Sequence, residues 1–281
     1  MIEAKVICDS INNDGVRITT FQVRAPKFID AELRTHRMLS QNSSSDRAIP
    51  FKKMAAKEFY IPDDVRKNQK GMQGYEKIDE KRLDYFKYDL NEILEDTIDA
   101  LRYHEGIVHK QHLNRYLLGF SMQDKVITGT EWDNFFKLRL AADAQPEIQE
   151  VARKMKGAMD KSTPELLKPG QWHLPYVSPY DEEGNPSFYS DAEVAIKCSV
   201  ARCARVSYSN HDGTAPDVEK DLKLYDFLVS SGHLSPLEHQ ATPQDEFCET
   251  MWENGVTHLD RNHNFWSGNF RSWIQYRKTQ E

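Results

Sequence analysis

The pattern of hydrophobic and polar positions near the start of the chain predicts a strand, a helix and a loop in that order. The segment from Val16 to Val23 is β-branched and aromatic and follows the turn sequence Asn13-Asp14-Gly15, which is typical of a strand. From Phe28 to Ser40, apolar residues recur at helical spacing and favour a helix. The polar, serine-rich segment from Gln41 to Pro50 predicts a loop.

Further along, apolar residues at three- and four-residue steps predict more helices. They indicate a long helix or a helix pair between about Lys81 and Phe120, and a second helix from about Thr130 to Leu140. A third helix follows, with Asp143 as its cap and Pro146 in its first turn. Two more are predicted at 191–208 and 217–230, and the aromatic segment from Phe265 to Arg277 is expected to be a packed C-terminus.

Proline and glycine concentrate between Pro164 and Pro186, a segment that holds five of the twelve prolines and therefore predicts a linker. The predicted architecture is one α+β domain with three parts: residues 1–160, a linker at 161–187, and residues 188–281.

Composition excludes several classes of protein. The 281 residues carry 37 Lys+Arg against 44 Asp+Glu, a net charge of −7, so no nucleic-acid partner is expected. No apolar stretch approaches the roughly 18 residues of a membrane span, and the N-terminus lacks the features of a signal peptide, which together predict a cytoplasmic protein without a membrane partner. The four cysteines form no CxxC pair, and His109 and His112 lack a third ligand, so reduced thiols and no metal site are expected.

The densest polar cluster follows the first predicted helix. Thr35-His36-Arg37 is followed by Ser40, Asn42, Ser43, Ser44, Ser45 and Arg47. A helix end that leads into such a loop offers backbone N–H groups, hydroxyls and guanidinium donors, which is phosphate-binding chemistry. The alternative is an exposed helix end with a hydrophilic loop.

Two other clusters could also carry chemistry. Asn134 and Leu138 lie one helical turn apart beside Arg139, although a solvated arginine on an amphipathic helix would show the same pattern. The turn from Gly232 to His239 carries two imidazoles and one carboxylate.

Together these clusters resemble the flavin-dependent thymidylate synthase family, whose members methylate dUMP without a nucleophilic cysteine. The family signature, Arg-His-Arg, seven residues, then Ser, is similar to Thr35-His36-Arg37, Met38 to Ser44, and Ser45. The segments 134–139 and 144–148 resemble its second signature helix. The resemblance implies the family fold, with a mixed or antiparallel sheet and long helices.

The third cluster stands in an unusual place. In the family, segments similar to Ala204–Tyr208 and His233–His239 precede the signature, whereas here they follow it. Circular permutation is the simplest explanation, because chain termini that lie close together at the surface can be joined. An unrelated C-terminal addition is the alternative.

The resemblance implies a role for each matching residue. Ser45, Asp46, Arg47 and Arg115 would hold the nucleotide, with Ser45 and the two arginines on its phosphate. Glu32 and Arg139 would face the base, and Arg139 would be the catalytic group that polarises the ring. The implied flavin-binding residues are His36, Arg37, Asn42, Asn134, Leu138, His233, Ser235 and Glu238. The implied cofactors are FAD, methylenetetrahydrofolate and NADPH, and the implied assembly is a homotetramer.

Departures from the family pattern leave the activity open. Thr35 replaces an arginine, Ser43 replaces an acidic residue, and Thr128 and Thr130, expected on the second signature helix, replace flavin-side residues. The expected reaction converts dUMP to dTMP. One alternative is a 5-hydroxymethylase acting on dUMP or dCMP, since the Glu32 carboxylate could accept a hydrogen bond from a cytosine amino group. Another is a catalytically silent nucleotide-binding homologue.

Overall fold

The computed structural model describes residues 1–71, 74–178, 191–207, 215–245 and 252–281. Its strands are β1 (Glu3–Ile11), β2 (Arg17–Pro26), β3 (Ser40–Ser43), β4 (Met122–Gly129), β5 (Glu165–Leu166), β6 (Ala241–Pro243), β7 (His258–Leu259), β8 (Phe265–Ser267), β9 (Phe270–Arg271) and β10 (Trp273–Gln275). Its α-helices are α1 (Asp30–Arg34), α2 (Phe51–Met54), α3 (Glu80–Arg102), α4 (Lys110–Leu113), α5 (Asp133–Arg139), α6 (Pro146–Met159), α7 (Ala192–Arg205), α8 (Val218–Ser230) and α9 (Tyr276–Thr279). Short 3₁₀ turns cover Lys27–Ile29, Asp46–Ala48, Asn114–Leu117 and Ser235–Glu238. The predicted α+β architecture is confirmed.

A five-stranded sheet in the order β3-β4-β2-β1-β5 forms the centre of the molecule. Neighbouring strands are antiparallel, except that β5 runs parallel to β1. The strand predicted at Val16–Val23 is confirmed as β2, whose partners β1 and β4 the hydrophobic pattern did not reveal. Strand β4 also corrects one expectation, because Thr128 lies on this strand rather than on a helix.

The helix predicted from Phe28 to Ser40 ends early, at Arg34. The backbone tightens there, because the N–H of Thr35 donates to the Glu32 carbonyl at 3.3 Å. The same carbonyl also accepts from the Thr35 hydroxyl at 2.6 Å and from Nη2 of Arg139 at 3.3 Å, in place of the N–H that a continuing helix would supply. The loop predicted at Gln41–Pro50 begins inside β3, which pairs with β4 and places Ser40 opposite Thr128.

The remaining helices follow the predicted pattern with shifted ends. The region from Lys81 to Phe120 is a helix pair, α3 and α4, followed by a 3₁₀ turn. Helix α6 begins with Pro146 in its first turn, as predicted, but its cap residue is Gln145 rather than Asp143. Helices α7 and α8 are both capped by aspartate side chains, Asp191 and Asp217.

The first part of the predicted linker packs into the fold. Strand β5 pairs with β1, and Leu167, His173 and Leu174 are buried. Residues 179–187 of the predicted linker, Tyr208 and Cys248 lie outside the described residues. Cys8, Cys198 and Cys203 are free thiols, as predicted, and no helix in the described ranges combines the length and apolar character needed to cross a bilayer.

Both faces of the sheet are covered, because successive side chains of a strand point to opposite sides. On one face, Phe21, Val23 and Ile127 pack with residues of α5 and α6 in the largest apolar core. On the other, Val126 packs with Cys203 of α7. The aromatic C-terminus is packed as predicted: Trp273 is fully buried and its Nε1 donates to the Val16 carbonyl at 3.1 Å.

A chain of buried polar side chains crosses this second face. It runs from Ser10 through His173, Thr20 and Thr128 to His239, with successive distances of 2.9, 2.7, 2.8 and 2.8 Å. Burial lowers the pKa of both imidazoles from the usual 6.5 to about 3. Neutral histidines therefore join two later segments to the central strands: His173 joins the predicted linker, and His239 joins the C-terminal segment.

Candidate active site

A cavity of about 310 Å³ brings together the substrate residues predicted from two distant parts of the sequence. Ser45, Asp46 and Arg47 enter it from the segment after β3, and Arg115 enters it from the 3₁₀ turn after α4. The side chains that line it are Lys27, Arg34, Ser43, Ser44, Ser45, Asp46, Arg47, Gln111, Asn114, Arg115, Leu118 and Gln123.

Asn114, which the sequence analysis did not single out, joins these two parts. Its side chain is almost fully buried, and its Nδ2 donates to the carbonyls of Asp46 at 2.8 Å and Ile49 at 2.9 Å. Ser45 caps the short turn that carries Arg47, since its hydroxyl accepts from the Arg47 backbone N–H at 3.4 Å. Hydrogen bonds from the Asn114 side chain to backbone carbonyls therefore hold the segments that carry Arg47 and Arg115 together.

Positive charge dominates the cavity, although the chain as a whole is acidic. Asp46 is buried and forms an ion pair with Lys27. The exposed guanidinium groups of Arg47 and Arg115 form no hydrogen bond or ion pair with any residue in the described parts of the chain. Such unpaired guanidinium groups are suited to a small anion, above all to a phosphate.

Arg139, the predicted catalytic residue, does not line this cavity and is bound to the end of α1. Its Nε donates to Nε2 of His36 at 2.8 Å, and its Nη2 lies 3.2 Å from the Thr35 hydroxyl. Burial and then the charge of Arg139 lower the pKa of His36 below its usual 6.5, which favours the neutral imidazole that can accept this bond. The edge of one ring meets the face of the other between His36 and Phe135, with centroids 4.9 Å apart.

The cavity and Arg139 nevertheless both contact the segment Arg34–His36. Arg34 of α1 lines the cavity, while Thr35 and His36 bind Arg139. Glu32, predicted to face the base, has one buried carboxylate oxygen, Oε2, without a hydrogen-bond partner among the described residues. The roles predicted for Glu32 and Arg139 stay predictions.

The predicted flavin-side residues fall into two groups around residues 36–42. In the first group, Arg37 is exposed in the turn after α1, and Asn134 and Leu138 are exposed on α5 beside Arg139. In the second, Asn42 on β3 donates through Nδ2 to the Cys203 carbonyl at 3.5 Å.

The turn from His233 to Glu238 belongs to the second group. Its 3₁₀ part packs against β3 although the two are almost 200 residues apart in sequence. Glu238 forms an ion pair with Arg277, whereas His233 and Ser235 are exposed. Tertiary structure thus brings the third sequence cluster beside the signature segment, and its flavin role stays a prediction.

Thr128 and Thr130 do not lie on the second signature helix, which corrects the expectation for both. The Thr128 hydroxyl is fully buried between Thr20 and His239, and Thr130, which follows β4, accepts a hydrogen bond from the Arg271 N–H at 3.2 Å. Both hydroxyls therefore already have partners within the protein.

The cavity residues that the sequence did not predict are Lys27, Arg34, Gln111, Asn114, Leu118 and Gln123. Arg34 directly precedes Thr35, so its position in the signature segment was the available signal. Gln123 lies on the unrecognised strand β4 and donates through Nε2 to the Ser44 carbonyl at 3.1 Å. No sequence pattern indicated its place.

Comparison with known proteins identifies relatives of this chain. The family model described as thymidylate synthase complementing protein matches residues 17–165, which include Ser45, Arg47, Arg115 and Arg139 but not the turn at 233–238. The flavin-dependent thymidylate synthase of Thermosipho africanus (strain TCF52B) is 31% identical over 140 residues, 48% of this chain and 60% of that protein. The chain therefore matches about three-fifths of this relative's length.

Two solved structures are also similar, both of a UMP/dUMP methylase, PolB, from Streptomyces cacaoi. The structure bound with 5-Br UMP matches with a TM-score of 0.47 and 18% identity, over 57% of this chain and 89% of that chain. The structure bound with 5-Br dUMP matches with a TM-score of 0.44 and 17% identity, over 57% and 90%.

Proposed function

The chain belongs to the thymidylate synthase complementing protein family, and from this premise we propose that it is a flavin-dependent transferase of one-carbon groups. Its substrate would be a deoxypyrimidine monophosphate, modified at C5, and the principal reaction would convert dUMP to dTMP. The observation that carries the proposal is the cavity in which Ser45, Arg47 and Arg115 meet. A free nucleotide phosphate is doubly charged near neutral pH, and the two unpaired guanidinium groups match that charge.

Arg139 would act on the base. As a carbon or hydride adds to the ring, negative charge develops on a ring carbonyl oxygen, and a fixed guanidinium stabilises that charge more than it stabilises the ground state. The bonds from Arg139 to His36 and Thr35 hold the guanidinium in one orientation before substrate binds. Such preorganisation is what electrostatic catalysis requires.

The separation of Arg139 from the phosphate cavity favours assembly from several copies of the chain, and we propose a homotetramer. Helix α3 offers a surface for this contact: of its 23 residues, Leu94 alone is buried in the single chain. Phe86 and Ile93 on this helix are 41% and 53% exposed. An apolar helix face of this kind is stabilised when a second copy covers it.

The residues around 36–42 fit a flavin. Arg37, His233 and Ser235 offer exposed polar groups, and Leu138 offers an apolar surface that is 50% exposed. With FAD, methylenetetrahydrofolate and NADPH bound, the cofactors would supply the carbon unit and the reducing equivalents. The chain's own part would be to bind the nucleotide, orient it and stabilise charge on its base.

The test begins with the purified full-length chain, reconstituted with FAD and incubated with dUMP, methylenetetrahydrofolate and NADPH. The proposal expects a yellow protein and dTMP identified by mass spectrometry. Arg47→Ala and Arg115→Ala should raise the KM for dUMP by about ten-fold or more, whereas Arg153→Ala, an exposed arginine outside this cavity, should not. A colourless protein that binds dUMP but forms no product would instead establish the silent homologue.

A 5-hydroxymethylase is the second candidate, favoured by one observation. The Thr128 hydroxyl is buried and bonded to Thr20 and His239, so the flavin side has one available hydrogen-bonding group fewer than the family pattern implies. Transfer of a methylene group followed by addition of water gives a hydroxymethyl product without net reduction. Product formation from dUMP or dCMP without NADPH, with a hydroxymethyl mass, would favour this candidate over methylation.

A further inference from the structure

Arg34 lines the phosphate cavity, although nothing in the signature resemblance gives it a role. Its guanidinium is held from two different elements. Nε donates to Oδ2 of Asp30 at 2.7 Å within α1, and Nη2 donates to the Ser43 hydroxyl on β3 at 2.9 Å. Two bonds from separate elements fix the plane of a guanidinium, which a single surface ion pair does not do.

The carboxylate that holds Arg34 is itself anchored in the protein. The other oxygen of Asp30, Oδ1, pairs with Nζ of Lys125, whose side chain is only 1% exposed on β4. Burial acts to raise the pKa of Asp30, but the hydrogen bonds from Arg34 and Lys125 outweigh it and leave the pKa below its usual value. Asp30 therefore stays ionised. If its carboxylate turned away from Arg34, the buried ammonium group of Lys125 would lose its partner, which is energetically costly.

The charge of Arg34 is not neutralised by Asp30. Asp46 balances Lys27, and Asp30 is shared between Lys125 and Arg34. Five cations thus stand against two carboxylates, with Arg47 and Arg115 unpaired. Nη1 of Arg34 makes no hydrogen bond to any residue that the structure describes, so it is available to a ligand in the cavity.

We propose that Arg34 is a third phosphate-binding arginine, positioned by Asp30 and Ser43, and that the cavity thereby selects nucleotides with a terminal phosphate monoester. The inference rests on the proposed function of the same cavity. A monoester phosphate carries up to two negative charges and three terminal oxygens, whereas a phosphodiester carries one charge and two terminal oxygens. Three arginines distinguish these groups better than two, so free mononucleotides would be preferred over the same nucleotide within a nucleic-acid strand.

Binding of dUMP, deoxyuridine and the methyl phosphodiester of dUMP to the full-length chain, measured by isothermal titration calorimetry, tests this role. For Arg34→Gln we expect the Kd for dUMP to rise about ten- to hundred-fold. The Kd for the phosphodiester should rise less, and that for deoxyuridine should not change. Arg34→Lys should recover part of the affinity, because it restores the charge but not the two-pronged geometry. The dependence of log Kd on log salt concentration should also become shallower for Arg34→Gln.

Arg153→Gln is the matched control. Arg153 is also half-exposed and bonded to two side chains of its own helix, including Gln149 at 3.1 Å, but it lies outside the phosphate cavity. Its dUMP affinity should equal that of the wild type.

Three results would overturn the inference. If Arg34→Gln binds dUMP as tightly as the wild type, Arg34 has no phosphate role and the proposed function still stands. If Arg34→Gln weakens dUMP and deoxyuridine equally, the loss is a general distortion rather than phosphate recognition. If the wild-type chain binds neither dUMP nor inorganic phosphate, the proposed function fails together with this inference.

Discussion

Acidification below about pH 6.5 should destabilise the fold through two buried histidines. His173 and His239 are fully buried in the hydrogen-bonded chain that joins the C-terminal segment to the central strands. Burial lowers the pKa of each from 6.5 to about 3, so both stay neutral in the folded protein across mildly acidic pH. The unfolded chain takes up these protons below its own pKa, and stability must fall as the pH falls.

The size of the effect at pH 5 follows from the unfolded pKa. An unfolded histidine with a pKa of about 6.5 is almost fully protonated there, which costs the folded state about 2 kcal/mol relative to pH 8. The two histidines together lower the free energy of unfolding at pH 5 by about 4 kcal/mol relative to pH 8. This is a large share of the roughly 5–15 kcal/mol that separates folded from unfolded domains.

Urea unfolding at pH 8, 7, 6 and 5, followed by tryptophan fluorescence at one protein concentration, measures this dependence. His173→Gln and His239→Gln should each reduce the loss between pH 8 and pH 5 by about 2 kcal/mol, whatever they cost at pH 8. His104→Gln is the control, because His104 is exposed and takes no part in this hydrogen-bonded network; it should leave the loss of stability between pH 8 and pH 5 unchanged. The reasoning is refuted if the wild type is as stable at pH 5 as at pH 8, or if neither variant alters the difference.

Three further changes test other parts of the molecule. Arg139→Ala should lower kcat about 10²–10³-fold while the protein stays yellow, because charge stabilisation is lost but the flavin side is not; wild-type turnover would remove Arg139 from the chemistry. Gly255→Ala should lower the free energy of unfolding by about 1–3 kcal/mol in thermal unfolding, because Gly255 has φ of +96° and an added Cβ would lie 2.7 Å from Ile274. Gly157→Ala in α6 is the control: its added Cβ meets open space, and the change should be neutral or slightly stabilising. Asp221→Asn removes the charge of the buried carboxylate that Arg202 and Arg205 share, and it should lower the free energy of unfolding in urea by about 3–5 kcal/mol. A decrease of less than about 1 kcal/mol would mean that these ion pairs contribute no more than surface ones.

The fold was predictable where local pattern and tertiary environment agree. Apolar spacing located α3, α5, α6, α7 and α8, and β-branched residues located β2. Strand β4 was missed because it is buried on both faces and contains Lys125, Asp124 and Gln123, whose charges and amides are compensated by distant partners. Helix α1 was predicted too long because one of the hydrogen bonds that the Glu32 carbonyl accepts at its end comes from Arg139, about 100 residues away.

The residues of the candidate site were likewise predicted only in part from the sequence. The signature resemblance selected Ser45, Arg47 and Arg115, and the chain brings them into one cavity. It did not select Arg34 or Asn114, because the importance of each depends on which carbonyl, hydroxyl or carboxylate lies opposite it.

The sequence by itself determined the class of chemistry: which residues are cationic, which segments are helical, and which family the signature resembles. Only the tertiary structure decided where those charges stand. It placed the turn at 233–238 against β3, and it bonded Arg139 of α5 to His36, beyond the end of α1, rather than leaving it in the phosphate cavity. The physical reason is that spacing along the chain fixes local periodicity, whereas the neighbours that anchor, neutralise or expose a side chain come from residues far away in sequence.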